Sequence, residues 1–300
     1  MDRLESMSLL LAVVEAGSLS GAARRIGMPL ASVSRKISDL EAHLKTRLFN
    51  RTTRRIALTD AGRSYVEACR RILDDLGEAE RAATGEYSAA KGEIAIAAPI
   101  VFGRLHVLPI VTDFLAAYPD IDIGMQLSDS VTHLLDEHID IGVRIGVLPD
   151  SSLLAIRVGA IRRVVCASPD VLKRFGTPDD PQALANVPCV TFIRLSATDR
   201  WMFRKDEQLI EVPIRSRLRV NTAEAAIDAA TAGIGFVRTL SYQAAAALQS
   251  GTLRLVLEDF EPEPWPVHLV YPGQGRLPIK LRAFLDFATP RLRARLLAIP

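Results

Sequence analysis

Apolar residues near the start of the chain recur every three or four positions, as they do on one face of a helix. Three such stretches follow one another within the first 44 residues, separated by short breaks that contain glycine. Gly17 can end the first helix, and Ser18 can cap the second through its hydroxyl. The pattern therefore predicts three short helices, with apolar faces formed by Leu4, Met7, Leu11 and Val14, by Leu19, Ala22, Ala23 and Ile26, and by Val33, Ile37, Leu40 and Leu44.

The third helix has a second, different face. Ala31, Ser34, Arg35 and Ser38 lie opposite its apolar stripe. Small and hydrogen-bonding side chains around one arginine form a surface that can enter the major groove of DNA. The break at 27–29 has the length that joins the two helices of a helix-turn-helix. We therefore interpret this part of the chain as a DNA-binding motif.

Residues 48–59 combine two short apolar ends with a basic tip that contains threonine. This pattern predicts a β-hairpin wing. Arginine and hydroxyl side chains at such a tip can contact phosphates or reach the minor groove. Arg51 can instead form an ion pair with Glu41.

The charge distribution agrees with this interpretation. Residues 20–63 contain ten Lys and Arg but three Asp and Glu, a net charge of +7. From residue 91 to the end there are 23 basic and 23 acidic residues. A basic patch confined to one small segment indicates a nucleic-acid partner for that segment.

A long helix is predicted to begin at Thr59-Asp60 and to extend to about Ala83. At 1.5 Å per residue it is ~40 Å long. Because a single helix cannot bury its own apolar stripe, we predict pairing with the same helix of a second subunit; packing on its own C-terminal domain is the alternative. The stripe alternates steps of four and three, as in a coiled coil, and consists of Tyr65, Cys69, Ile72, Leu76, Ala79 and Ala83.

Beyond a hinge of small residues at 82–92, strands alternate with helices. The first part of this alternation is a βαβαβ pattern, which predicts a parallel sheet and an α/β fold. Strands are predicted at 94–98, 121–127, 139–145, 163–167, 189–193, 201–204, 217–220 and 235–238, and helices at 105–118, 131–137, 169–175, 223–232, 242–249 and 279–297.

The sequence argues against several other classes of protein. The acidic first residues and Glu15 do not fit a secretory signal, and no run approaches the ~18 apolar residues of a membrane span. Cys69, Cys166 and Cys189 are too widely spaced for a disulfide framework or a zinc site, so buried thiols are expected, with a redox switch as the alternative. We expect a cytoplasmic protein without a membrane partner.

Nothing in the sequence predicts an enzyme, a metal or a cofactor. The five histidines do not combine with Ser, Cys or Asp in a catalytic spacing, and there is no phosphate-binding loop. The main alternative to a regulator is a solute-binding protein, which the C-terminal two thirds alone is similar to. The basic N-terminal region and the absence of a signal argue against that alternative.

The chain resembles LysR-type transcriptional regulators over nearly its whole length, most densely in the first ninety residues. The segments that carry the resemblance are Gly17–Ala23, Val33–Ile37, Leu40-Glu41, Arg47–Arg51 and Thr59–Gly62 in the DNA-binding domain, and Asp140–Arg144, Asn221, Ala232–Gly235 and Phe284–Phe287 in the effector domain.

The resemblance implies a winged helix-turn-helix, a dimerising linker helix and a two-lobed, periplasmic-binding-protein-like (type 2) effector domain. It also implies double-stranded DNA, RNA polymerase, a small-molecule effector and further copies of the chain, as a dimer or tetramer, as partners. The last strand and helix are expected to return to the first lobe. The implied bounds are 1–59 for the winged helix-turn-helix, 60–90 for the linker helix and hinge, and 91–300 for the effector domain, with lobe I at 91–161 and 266–300 and lobe II at 162–265.

DNA contacts are expected from the second helix start, the recognition helix and the wing. Many relatives carry glutamine near the position of Leu30. An apolar side chain there can touch a thymine methyl but cannot make a bidentate contact to adenine. The expected DNA-binding residues are Ser18, Leu30, Ala31, Ser32, Ser34, Arg35, Ser38, Arg51, Thr52, Arg54 and Arg55.

The effector is expected at the carboxyl ends of strands and at helix starts. Arg144 and Arg194 can pair with a carboxylate. The loop that begins at Pro99 has no hydroxyl, which favours a partly apolar effector such as an aromatic or other organic acid. The expected effector-binding residues are Pro99, Ile100, Phe102, Ser128, Arg144, Phe192, Arg194 and Thr222.

Overall fold

The structure is a computed structural model that forms two compact units, residues 1–89 and 90–300. Each unit is described by itself. The described residues are 2–52, 55–83, 90–130, 134, 139–149, 152–192, 199–206, 208–273 and 277–298, with the backbone alone at 51, 52, 55, 56, 71, 74, 75, 78, 79 and 81–83.

Three short helices, a hairpin and a long helix make up the first unit, in the predicted order. Side chains cap three of the helix starts: Asp2 accepts the N–H groups of Leu4 and Glu5, Ser18 accepts that of Gly21, and Thr59 accepts that of Gly62. These contacts satisfy backbone donors that have no partner inside the helix. The elements are α1 Arg3–Glu15, α2 Leu19–Ile26, α3 Leu30–Leu44, β1 Phe49–Thr52, β2 Arg55–Leu58 and α4 Asp60–Ala83.

The predicted apolar stripes form the core of this unit. Leu10, Val13, Val33 and Leu40 are at most 1% exposed, and Leu48 from the hairpin base joins them. Burial of each such side chain stabilises the fold by roughly 1.5–3 kcal/mol. The core therefore fixes the orientation of α3 and with it the direction of its polar face.

The hairpin base is joined closely to the start of α4. The Thr59 N–H donates to the Leu48 carbonyl at 2.9 Å, and the Thr59 hydroxyl donates to the Arg47 carbonyl at 2.8 Å. The same hydroxyl accepts the Gly62 N–H at 2.9 Å and so caps the helix. A Cβ on Gly62 would lie 2.0 Å from the Leu48 carbonyl oxygen. Only glycine therefore allows the helix and the hairpin to approach this closely.

The second unit is an α/β structure, as predicted. Its helical elements are α5 Ile100–Phe102, a π-helical turn Gly103–Val107, α6 Leu108–Ala117, α7 Pro169–Phe175, α8 Ala223–Thr231, α9 Ser241–Gln249 and α10 Ile279–Leu297, and its strands are β3 Gly92–Ala98, β4 Ile121–Leu127, β5 Ile141–Ile145, β6 Leu153–Ile161, β7 Arg163–Ala167, β8 Pro188–Phe192, β9 Arg200–Lys205, β10 Gln208–Pro213, β11 Arg215–Val220, β12 Phe236–Leu240, β13 Arg254–Val256 and β14 Trp265–Pro272.

Two five-stranded sheets organise this unit. Sheet I has the order β4-β3-β5-β14-β6, and sheet II has the order β11-β8-β12-β7-β13. In sheet I, β3 runs parallel to β4 and β5, as predicted, whereas β14 is antiparallel to β5 and β6. The strands β9 and β10 form a separate hairpin. We call the part built on sheet I lobe I and the part built on sheet II lobe II.

The described chain passes between the two sheets at two places. The first crossover joins β6 to β7 through Arg162, and the second runs from Phe260 to Trp265 at the start of β14. Lobe I is completed by α10, whose Phe284 and Leu292 are buried in the core. Rotation of one lobe against the other must be absorbed at these two crossovers.

Several sequence predictions for this unit need correction. The helix predicted at 105–118 begins at Ile100 and includes the π-helical turn. The strands β6, β10, β13 and β14 were not predicted from the pattern, since in these segments charged residues, proline and glycine interrupt the apolar alternation. Only the resemblance implied a last strand that returns to the first lobe. Apart from Leu134, the helix predicted at 131–137 lies outside the described residues.

One helical run among the described residues, Ile100–Ala117, is long and apolar enough to cross a membrane by composition. In this structure 39% of the run is buried. Val101, Phe102 and Phe114 belong to the core of the second unit. A core helix accounts for the composition of this run.

Candidate DNA interface and effector cleft

The polar face of α3 is exposed above its buried stripe. Leu30 is 49% exposed, and Ala31 and Arg35 are exposed as well. The predicted contact residues Ser32, Ser34 and Ser38 are half-buried along the same helix. The structure therefore brings the predicted α3 residues together on one accessible surface, and their contact with DNA stays a prediction.

Ion pairs divide the basic residues of the first unit into two groups. Arg25 pairs with Glu15 at 2.8 Å, Lys36 pairs with Glu5, and Arg63 pairs with Asp60. The exposed side chains of a second group form no ion pair within the described residues. That group consists of Arg3, Arg24, Arg35, Lys45, Arg47 and Arg70. Cations without an internal partner are the ones available to phosphates.

Ser18 is the N-cap of α2, since its hydroxyl accepts the Gly21 N–H at 3.0 Å. A serine hydroxyl that accepts one hydrogen bond can still donate another. The predicted contact of Ser18 with DNA is therefore compatible with its cap role.

Only the backbone of the wing is described. The two strands pair Phe49 with Leu58 and Thr52 with Arg55. The side chains of Arg51, Thr52 and Arg55, and the whole of Arg54, lie outside the described residues. The Glu41 carboxylate accepts the N–H groups of Leu48 and Phe49 at 2.8 and 3.1 Å, which ties α3 to the hairpin base.

A cleft opens between the two lobes of the second unit. Its empty volume is about 620 Å³, including space open to solvent. Both lobes contribute to its walls, which combine aromatic side chains with a few polar groups. The lining residues are Pro99, Ser128, Asp129, Ser130, Val143, Arg144, Ile145 and Trp265 from lobe I, and Phe192, Leu240, Tyr242 and Gln243 from lobe II.

Four of the predicted effector residues line this cleft: Pro99, Ser128, Arg144 and Phe192. The other four are placed as follows: Ile100 is half-buried and not in the lining, Phe102 is fully buried, Thr222 caps α8 by accepting the Ala225 N–H, and Arg194 lies outside the described residues.

The predicted effector residues do not include Tyr242, Gln243 or Trp265, nor Asp129, which directly follows the predicted Ser128 in its loop. Tyr242 and Gln243 follow β12 at the start of a helix, so the same rule that selected the other loops applies to them. Trp265 is the first residue of β14. Because β14 runs antiparallel to β5, Trp265 lies at the edge where the parallel strands of lobe I end. The rule that ligands bind at the carboxyl ends of parallel strands does not select the first residue of an antiparallel strand.

Asp129 occupies the start of a helix. Its carboxylate accepts the Ile100 N–H at 3.1 Å, the first N–H of the run that continues through α6. Helix starts attract anions. In this protein, the carboxylate of Asp129 already lies at that position.

Tyr242 connects lobe II with lobe I at the cleft. Its ring packs edge-on against Phe102 and His106, with ring centroids 5.5 Å apart in both pairs. Burial and the charge of Asp129 raise the pKa of Tyr242, so its phenol stays protonated. Its oxygen accepts a hydrogen bond from the Gln243 amide at 3.4 Å.

His106 is neutral in this environment. Burial, with a smaller contribution from the charge of Arg295, lowers the pKa of His106 to about 4. Neither ring nitrogen has a hydrogen-bond partner among the described residues, although both are buried. Such groups carry a desolvation cost.

Cysteine and metal chemistry find little support in the described residues. All three cysteines are buried and free, and burial raises the pKa of Cys166 and of Cys189 to about 12. Thiols with such pKa values are poor nucleophiles at neutral pH. No cluster of three or more His, Cys, Asp or Glu in the described part of the chain can hold a metal ion.

Comparison with known proteins places these two features in one family. A model of the bacterial regulatory helix-turn-helix protein, lysR family, matches residues 4–63, and one of the LysR substrate binding domain matches residues 88–293. The chain therefore belongs to the LysR family. It is a transcriptional regulator with a helix-turn-helix DNA-binding domain and an effector-binding domain.

Individual relatives agree with this assignment. An HTH-type transcriptional repressor of Pseudomonas aeruginosa is 32% identical over 96% of this chain and 91% of the relative. An uncharacterized HTH-type transcriptional regulator of Haemophilus influenzae is 33% identical over 94% and 98% of the two chains.

Solved structures give the same result for the fold. CrgA from Neisseria meningitidis, a LysR-type transcriptional regulator, has a TM-score of 0.61 at 28% identity, covering 96% of this chain and 98% of that one. The virulence activator AphB of Vibrio cholerae has a TM-score of 0.60 at 27% identity over 95% and 98%.

Proposed function

We propose that the recognition surface of this regulator is the exposed face of α3, with Arg35 as its central base-contacting residue. The observation that carries this proposal is that Arg35 is exposed and forms no ion pair within the described residues, while the opposite side of its helix is buried. Small neighbours, Ala31 and Ser34, leave room for a base edge to approach. The wing arginines and Ser18 supply contacts to the DNA backbone.

A gel-shift titration tests this surface. The protein is titrated against the DNA upstream of its own gene at two salt concentrations, with unrelated competitor DNA. Arg35→Ala should weaken specific binding more than non-specific binding, with about 1–3 kcal/mol lost on the specific site. Arg25→Ala is the matched control, since Arg25 pairs with Glu15. Equal losses on both DNAs would make Arg35 a phosphate contact only, and a folded wild type that binds no DNA would overturn the proposal.

The effector is a small aromatic or other organic acid that binds in the cleft between the lobes. The lining supports an aromatic ring through Phe192 and Trp265. Asp129 already occupies the helix start at Ile100, so an acid group is repelled there. Arg144 is the cation of the described lining and is the expected partner of the effector carboxylate.

Matched ligands test the charge of the effector. Thermal unfolding of the full chain is followed with a panel of aromatic acids, each beside the amine that carries the same ring, such as benzoate beside benzylamine. At a hundred times Kd, a bound acid should stabilise the protein by about 2.7 kcal/mol. Arg144→Gln should abolish the effect, and Arg104→Gln, an exposed arginine that is not in the lining, should not. Stabilisation by amines alone would contradict an acidic effector.

The active assembly is a dimer or tetramer joined through α4 in the cytoplasm, where it acts on RNA polymerase. Ile72 of the predicted seam is 42% exposed, which supports a second copy of the helix as its partner. Closure of the cleft around the effector changes the arrangement of the subunits along the DNA.

A further inference from the structure

Two consecutive arginines form the first crossover between the lobes. Arg162 lies between the end of β6 and the start of β7, and Arg163 is the first residue of β7. The crossovers are the only places where the described chain passes between the two sheets, so side chains that join them act on the relative position of the lobes.

Arg162 is bound by two carboxylates, of which Glu261 lies on the second crossover and Glu258 just before it. Its Nε and Nη2 atoms donate to the two oxygens of Glu261, both at 2.8 Å, and Nη2 also donates to Glu258 at 3.1 Å. The Arg162 side chain is 33% exposed and that of Glu261 is 14% exposed. The Glu261 and Glu258 carboxylates raise the pKa of Arg162, which therefore stays charged. A bidentate pair of this kind fixes distance and orientation together.

Arg163 reaches the second crossover in another way. Its guanidinium carbon lies 4.7 Å from the ring centroid of Trp265, and its Nη2 donates to the Glu263 carbonyl at 2.9 Å. Arginine over a tryptophan ring is a favourable cation–π contact. Trp265 is itself part of the cleft wall, so Arg163 fixes one wall of the cleft from behind.

The backbone of Arg162 fixes the other wall. Its carbonyl accepts the N–H of Ser241 at 3.0 Å. Ser241 is the first residue of α9, and its neighbours Leu240 and Tyr242 line the cleft from lobe II. The same two residues of the chain therefore contact both walls and both crossovers.

We propose that Arg162 and Arg163 are positioning residues of the effector cleft, and that the Arg162–Glu261 pair sets the resting angle between the two lobes. Arg163 holds Trp265 in the lobe I wall, and the Arg162 carbonyl holds the start of α9 in the lobe II wall. The functional part of this inference rests on the proposed effector cleft. The geometric part concerns the second unit alone.

A charge-swap series on the full chain tests the pair. Amide hydrogen exchange is measured for wild type, Arg162→Glu, Glu261→Arg and the double variant, with Arg200→Gln as control. Arg200 also pairs with a glutamate, Glu211, but within one hairpin. Arg162→Gln and Glu261→Gln serve as milder variants if a reversed charge prevents folding.

Each single change should increase exchange about tenfold at the amides of Ser241, Glu263 and Trp265, because local opening becomes easier. Residues 262, 264 and 266 are prolines and have no amide hydrogen. The double variant should restore most of the protection, and Arg200→Gln should leave these segments unchanged. Arg162→Lys should leave these amides nearly as unprotected as Arg162→Gln does, since lysine lacks the planar fork of arginine.

Two outcomes would overturn the inference: exchange at these segments no faster than in Arg200→Gln, or a double variant no more protected than the single ones. Thermal unfolding of the wild type with the acids of the ligand panel provides the functional readout. If exchange changes as expected while no acid stabilises the wild type, the inference about Arg162 and Glu261 stands and the proposed effector fails. If an acid stabilises the wild type and exchange does not change, the inference about Arg162 and Glu261 alone fails.

Discussion

At the scale of single residues, the second unit contains a histidine, His106, whose surroundings favour the neutral form of its ring. His106 lies between the rings of Phe102 and Tyr242, which belong to different lobes, and its pKa is lowered to about 4. A folded-state pKa below the unfolded value of about 6.5 means that the unfolded chain binds the proton more readily. The contribution of His106 to stability is therefore complete above pH 6.5 and decreases as the pH falls from 6.5 to 4.

This pH dependence can be measured directly. The free energy of unfolding should fall more steeply between pH 6.5 and 4 in wild type than in His106→Phe, because the phenylalanine ring does not titrate. His106→Phe should also fold well at neutral pH, since the buried ring nitrogens of His106 have no hydrogen-bond partner among the described residues. His268, whose pKa burial and Arg157 also lower, contributes equally to both proteins. Parallel pH curves would show that His106 is not the titrating group.

At the scale of elements, the exposed polar side of α3 extends beyond Ser38, the last predicted contact residue on this helix. Ser38 and Ala42 lie on the same side of the helix as Arg35, and Lys45 and Arg47 follow at its C-terminal end. One surface groove is lined by Ser38, Ala42, Lys45 and Arg47 together with Glu41 and Thr46. The negative end of the helix dipole repels a phosphate, so cations are needed if this end approaches the DNA backbone.

We expect Lys45 and Arg47 to be additional phosphate contacts. Lys45→Gln or Arg47→Gln should each reduce the slope of log K against log salt by about one, equally on specific and non-specific DNA. The matched control is Arg25→Gln, since the charge of Arg25 is compensated by Glu15. Slopes equal to wild type in both variants would place this end of α3 away from the DNA.

The elements also show what the sequence could and could not predict. The order of α1 to α4 and most of their boundaries followed from periodicity, from Gly17 and Gly27 and from the caps at Ser18 and Thr59, because these signals are local. The predicted helix at 279–297 agrees with α10, since its apolar positions have a regular spacing. The strands β6, β13 and β14 were missed because sheet partners far along the chain stabilise them, and no local signal records those partners. The strand β10 pairs with its neighbour β9, but the charged Glu211 interrupts its apolar pattern.

The candidate sites differ in the same way. The polar face of α3 could be predicted because a helix has a fixed period. Eight of the twelve residues that line the cleft were not among the predicted effector residues. Trp265 and Tyr242, for example, reach the cleft only through the crossovers that bring β14 and α9 beside the ends of β3 and β5. Phe102 illustrates the limit: it lies in the predicted loop, but its side chain is buried behind Tyr242.

At the scale of the whole molecule, DNA binding and effector binding are combined in one chain. The proposed link is a change in subunit arrangement when the cleft closes. With an aromatic acid that stabilises the protein in thermal unfolding, the DNase footprint should change in length, or the DNA bend should change, while affinity changes little. A saturating acid that leaves both the footprint and the bend unaltered would contradict this link. Arg144→Gln, tested at the same ligand concentration, is the control.

The joint between the hairpin and α4 has a mechanical consequence. Thr59 fastens the helix to the carbonyls of Arg47 and Leu48 through three hydrogen bonds that involve its N–H and hydroxyl, and Gly62 lets the two backbones touch. These contacts prevent the hairpin from moving independently of the helix at this point. The wing therefore turns together with α4. In the dimer proposed above, the angle between the two copies of α4 then also determines the distance between the two wings, and with it the spacing of the DNA sites that they can contact.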